Sequence, residues 1–179
     1  VAEITLNLTL FDSSSHSFEQ FLALLASEQG NYGATLSETD RVILPFQRLI
    51  FEETLLSVDF PSLDKHGTNT GPLPSAAVRN EVHLVLKWLQ ESKGVKKLIK
   101  LTVSDSKINP HPEEAMEAAI KHLDVEHLDW RRLDLSIDTI LEAAENVREL
   151  HLYSSGSRAV IGHWLGEDGV RRLSKASYP

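Results

Sequence analysis

Apolar and polar residues alternate from Val1 to Leu10. Ile4, Leu6, Leu8 and Leu10 fall on one side of an extended chain, and Thr5, Asn7 and Thr9 on the other, the period of two that marks a half-buried strand. Asp12 to Ser15 break the pattern. Ser17 with Gln20 three residues on forms a capping box, and Phe18, Phe21, Leu22 and Leu25 give the helix it opens a buried face. The two periods then take turns through the second half. Val78, Val82, Val85, Leu86 and Leu89 predict a helix that starts near Pro74 and ends at Gly94. Ile99, Leu101 and Val103 alternate with Lys100, Thr102 and Ser104 as a strand. Pro112, Glu113 and Glu114 open a helix, the acids suiting its positive end, and Ala115, Met116, Ala119, Ile120 and Leu123 line it. Leu133 and Leu135 alternate with Arg132, Asp134 and Ser136; Ile137, Ile140, Leu141 and Ala144 recur at helical spacing; Leu150 and Leu152 alternate with Glu149, His151 and Tyr153. Ser157 to Lys175 reads as helical, interrupted at Gly166 and Gly169.

The stretch from about 30 to 74 is irregular. Asn31-Tyr32-Gly33 is a turn, Pro45 interrupts the apolar run from Val42 to Phe51, and Asp59 to Pro74 holds three prolines and two glycines, which reads as a long loop. With 179 residues the chain fits a single α/β domain over 1–179. Val95-x-x-Leu98, Val125-x-x-Leu128, Val147-x-x-Leu150 and Val170-x-x-Leu173 echo one another at spacings of 30, 22 and 23, near the roughly 20–29 residues of leucine-rich repeats.

The strands keep polar residues on one face, whereas the central strands of a doubly wound sheet read as continuous apolar runs. Burying Lys100, Arg132, Asp134, Glu149 and His151 without partners would cost several kcal/mol for each charge, to an order of magnitude. The expectation is therefore a parallel sheet with helices mainly on one face, a leucine-rich-repeat-like half-solenoid, the alternative being a doubly wound α/β domain with these charges at the sheet's edges.

Composition narrows the function classes. Hydrophobic residues make up 41% and charged residues 25%, enough for a real core and unlike a disordered chain. The net charge of -8 repels phosphate backbones, so nucleic acid is not an expected partner. The absence of cysteine excludes disulfides and thiolate chemistry and fits an intracellular, cytoplasmic setting. No apolar run reaches the roughly 18 residues of a membrane span, and no signal peptide is visible. The chain begins at Val1 inside an alternating pattern, which reads as a piece of a longer protein.

Asp129-Trp130-Arg131-Arg132-Leu133-Asp134-Leu135, the run Asn146 to Ser157, Trp164 and the phrase Leu44-Pro45-Phe46-Gln47 resemble a region of large multidomain fungal proteins that also carry a subtilisin-like serine protease domain. The resemblance covers the second half well and the first half loosely. It implies a noncatalytic region accompanying a protease, and it carries over no binding residues.

His66-Gly67-Thr68 spells the histidine motif of subtilisin-like enzymes, but the triad needs an orienting Asp and a Ser in a Gly-Thr-Ser setting. No Gly-Thr-Ser occurs, and Asp12-Ser13-Ser14 lacks the glycine of the aspartate motif, so a loop histidine is the better reading and no catalytic residue is assigned. Tyr153 to Arg158 lies between a strand and a helix, where backbone N–H groups can bind an anion, or Ser155 or Ser157 simply caps the helix. His122 and His127 are five apart, and His111 sits beside Glu113 and Glu114. Neither has recognised ligand spacing, so no metal or other cofactor is expected. The polar strand face is the leading candidate for binding: Lys100 and Thr102, then Trp130, Arg132 and Asp134, then Glu149, His151 and Tyr153. Aromatic and arginine side chains on a rigid surface suit a protein partner. The alternative is a solvated face.

Overall fold

The alternation at both ends of the chain does become strand, and the strands join side by side in one parallel sheet. A computed structural model describes residues 4–13, 18–28, 49–64 and 79–173. Its strands are β1 (Thr5–Asn7), β2 (Thr54–Ser62), β3 (Lys97–Ser104), β4 (Asp124–Trp130) and β5 (Glu149–Leu150). They lie in the order β1-β2-β3-β4-β5, every neighbour parallel. Among the described residues five α-helices go with them: α1 (Phe18–Glu28), α2 (Glu81–Glu91), α3 (Glu113–Ile120), α4 (Ile137–Ala143) and α5 (Arg158–Leu165). Parallel neighbours need long crossovers, and helices supply them. α1 to α4 pack beside one another in chain order.

Register explains the core. Leu6, Val58, Leu101, Leu128 and Leu150 stand opposite one another in a single row across the whole sheet. Leu55, Leu98 and Val125 form a second row. The helices bury Phe18, Phe21 and Leu25 of α1, Val82, Val85, Leu86 and Leu89 of α2, and Met116 and Ile120 of α3 in the same cluster. Phe18 meets Phe60 edge-on at 6.3 Å, and Phe21 meets Trp88 at 5.8 Å. Each such aliphatic or aromatic side chain contributes about 1.5–3 kcal/mol of burial. Ser136 caps α4, its hydroxyl accepting the Asp138 N–H at 3.2 Å.

The expected leucine-rich-repeat half-solenoid does not form. Val125 and Leu128 lie inside β4, whereas Val95 and Val147 precede their strands and Val170 opens a short 3-10 turn, Val170–Arg172. The strands shorten from 9 residues in β2 to 8, 7 and 2 in β3, β4 and β5. Units that differ in content and length do not stack with the constant rotation that curls a solenoid. The fold is a five-stranded parallel α/β sheet with flanking helices. The doubly wound alternative is not matched either, because the strand order never reverses.

Local departures have local causes. Asn7 Oδ1 accepts the Thr9 N–H at 3.0 Å and turns β1 into the 3-10 segment Leu8–Ser13, which leaves Leu10 65% exposed. β2 falls inside the stretch read as irregular. Pro61 sits where the register shifts between Asp59 and Ser62, a place that tolerates a missing N–H. The strand expected around Leu133 and Leu135 is reduced to one bridge, Leu133 to Tyr153. Asp134 takes φ 57°, which breaks an extended run, and the strand is β4, a few residues earlier. The capping serine Ser17, the phrase Leu44 to Gln47 and residues 30–48 and 65–74 lie outside the described residues.

Candidate functional site: the polar face of the sheet

Because strand side chains alternate, the same register that builds the apolar rows builds polar ones. Thr5, Ser57, Lys100, His127 and Glu149 form one row across the five strands. Asn7, Asp59, Thr102 and Asp129 form the next. Thr5, Asn7, Lys100, Glu149 and His151 are exposed, and Asp59, Thr102 and His127 are intermediate.

Two carboxylates organise the β4–β5 end of this face. Asp129, itself buried, accepts the Tyr153 hydroxyl on Oδ1 at 2.7 Å and Arg131 on Oδ2 at 3.2 and 3.3 Å. Arg131 is 52% exposed and reaches Ser104 Oγ at 3.4 Å. Partial burial and the Asp129 charge push the Tyr153 hydroxyl above its usual range. Glu149 meets His151 Nε2 at 2.9 Å and His127 Nδ1 at 3.4 Å. The His151 hydrogen bond, then the charge of His127, hold its carboxyl below the ordinary carboxylate range. On β2, Ser57 donates to Asp59 Oδ2 at 2.9 Å. Lys100 stands exposed in the same row as His127, makes no ion pair among the described residues, and its charge also helps to lower Glu149.

Of the residues expected on this face, Lys100, Thr102, Glu149, His151 and Tyr153 are on it. Trp130 and Arg132 are not. Trp130 is 0% exposed and gives its indole N–H to Asp105 at 2.9 Å. Arg132 turns toward α3, 3.3 Å from Glu113 and 3.5 Å from Met116 Sδ. Asp134 sits in the turn after β4, where it accepts the Ser155 N–H and hydroxyl. Placing the strand too late shifted its parity, so Asp129 and Arg131 were missed in favour of their neighbours. Ser57, Asp59 and His127 were missed as well. The signal was present: Leu55-x-x-Val58-x-Phe60, Leu98-x-x-Leu101-x-Val103 and Val125-x-x-Leu128-x-Trp130 share one spacing, and aligning them fixes the polar rows.

Two N–H groups of the loop from Ser154 to Arg158 are taken by the protein itself. Ser155 donates to Asp134 at 2.9 Å and Gly156 to Ser154 Oγ at 2.9 Å, so these two donors are already engaged. His66-Gly67-Thr68 lies outside the described residues. Among the described residues no group of three His, Cys, Asp or Glu side chains is arranged to hold a metal, and no helix is long and apolar enough to cross a membrane. An open groove of about 450 Å³ between α2 and α3 is lined by His83, Lys87, Glu117, Lys121 and His122, among others, away from the polar rows.

No protein-family model, curated protein or solved structure matches this chain. The likeness of phrasing to fungal, subtilisin-associated proteins thus finds no support in them. With the leucine-rich-repeat character already corrected by the fold, neither enters the functional reading.

Proposed function

We propose that the chain is a noncatalytic protein-interaction or regulatory domain that binds its partner through the polar face of the sheet. The observation that carries this is the alignment of the polar rows across five strands, with Lys100 exposed and Arg131 and Tyr153 at one end. A hydrogen-bonded sheet holds such groups rigidly, so binding costs little ordering, and arginine and tyrosine are the residues that anchor protein interfaces. The noncatalytic part rests on His111. It carries an orienting aspartate, yet it is 1% exposed and turns its second ring nitrogen to Glu81 rather than to a hydroxyl nucleophile. An acidic chain of net charge -8 favours a protein over a nucleic acid as the partner, and its cysteine-free composition suits a cytoplasmic one.

A photo-crosslinking amino acid placed at position 100 is expected to trap one protein that the same probe at position 121, on the α3 side, does not. That protein, purified, then binds the wild-type domain and fails to bind Lys100→Glu/Arg131→Glu. Crosslinks from position 121 alone, or unchanged binding of the double variant, would overturn the reading. A fluorophosphonate probe for activated serines is expected to leave the folded domain unlabelled; labelling would contradict its noncatalytic character.

A further inference from the structure

The loop that leaves β3 returns on itself from Asp105 to His111, and one carboxylate closes it. Asp105 Oδ1 accepts the Ser106 N–H at 2.8 Å and the His111 Nδ1–H at 2.9 Å. Its Oδ2 accepts the His111 backbone N–H at 3.1 Å and the Trp130 indole at 2.9 Å. The Asp105 side chain is 0% exposed and His111 1%. Across the imidazole, Nε2 lies 3.3 Å from Glu81 Oε2 at the start of α2. Both atoms are buried, and they face each other as an ion contact rather than a well-formed hydrogen bond.

The protonation state follows from this geometry. Nδ1 must carry a proton to bond Asp105. A neutral ring with its proton there would turn a lone pair toward the Glu81 carboxylate at 3.3 Å, too close for a water to fit between them. A doubly protonated ring satisfies both carboxylates. The other charged groups around it are already engaged. Arg79 bonds Glu81 Oε1 at 2.8 Å and the Asn109 carbonyl at 2.9 Å. Asp64 accepts the Lys107 N–H at 2.8 Å, and Glu113 faces Arg132. The loop's own tip carries Ile108, 91% exposed, and bonds Ser106 Oγ, Asp64 and Arg79 among the described residues.

We propose that Asp105, His111 and Glu81 form a pH-operated latch: the doubly protonated imidazole clamps the 105–111 loop to α2 and β4, and loss of one proton frees the loop while the sheet stays folded. Burial pushes the His111 pKa down, but Asp105 and Glu81 outweigh it and hold the group above its usual value. Burial likewise raises Glu81, yet His111 and Arg79 bring it to about 2. The latch is therefore closed at low pH and opens as pH rises past the ordinary histidine range of about 6.5.

The test follows the His111 ring by nitrogen NMR and amide-exchange protection factors by residue, in the intact chain, between pH 6 and 9. Protection at Ser106, Lys107 and His111 is expected to fall at least about tenfold in step with the loss of the ring proton, while Leu101 and Leu128 keep theirs. Glu81→Gln is expected to move both changes together to lower pH. Flat loop protection while His111 titrates, a ring that does not titrate in this range, or loop and sheet amides failing together would each overturn the latch. The wild-type titration decides the matter even if the variant does not fold.

Discussion

Two histidine–carboxylate pairs in this molecule have the same length and opposite surroundings. His111 and Asp105 meet at 2.9 Å with side chains 1% and 0% exposed; His151 and Glu149 meet at 2.9 Å with side chains 47% and 55% exposed. Distance does not separate them, but water does. In the buried pair each charge has lost its hydration and depends on the other, so removing one strands the second. In the exposed pair water replaces either partner at small cost, so the contact adds little to the fold and its groups are free to bond something else. The first cluster fastens the 105–111 loop to the fold, and the second stays open to solvent.

The strongest way to break this comparison is to remove each imidazole. His111→Ala is expected to cost about 3–5 kcal/mol in urea denaturation, because the buried Asp105 loses its cation, while the part-exposed Glu81 keeps Arg79. His151→Ala is expected to leave the denaturation midpoint unchanged. Equal losses would end the distinction. Trp130→Phe should cost about 1–3 kcal/mol, since Asp105 Oδ2 loses its indole donor inside the core.

The pH dependence of stability sharpens the point. The folded pKa of His111 is raised, so its contribution is complete below the unfolded value of about 6.5 and is lost as pH climbs through the folded one. Asp105 and Glu81 are lowered, so theirs is complete above about 4 and is lost as pH falls through their folded values, about 2 for Glu81. Unfolding measured across pH should thus show a slope above about 6.5 that His111→Gln abolishes. The smallest effect is expected for Tyr153→Phe, about 0.5–1.5 kcal/mol, because it removes one bond to a carboxylate that Arg131 still holds.

The α/β class, three strands and the helices at Phe18, Glu81, Glu113, Ile137 and Arg158 could be read from periodicity, because each buries a stripe of fixed spacing. β2 was hidden by Ser57, Asp59 and Pro61, which look like loop chemistry until the register places the first two in the polar rows. The end of β4 was misread because Leu133 to Leu135 alternates as a strand does, while Asp134 turns the chain there through a contact with Ser155, 21 residues away. No local pattern encodes such a partner. The polar face was legible in kind, with Lys100, Thr102, Glu149, His151 and Tyr153 assigned to it. The Asp105–His111–Glu81 cluster was not, since it joins three separate segments, and His111 looked like one more polar residue at a helix start.

The affinity of the protein trapped from position 100, measured by calorimetry against wild type and Lys100→Glu/Arg131→Glu with denaturation curves alongside, tests the central claim most directly. Binding should weaken at least about tenfold, about 1.4 kcal/mol, at an unchanged unfolding midpoint. An affinity that survives both charge reversals, or that is lost only together with the fold, would contradict a partner on the polar face.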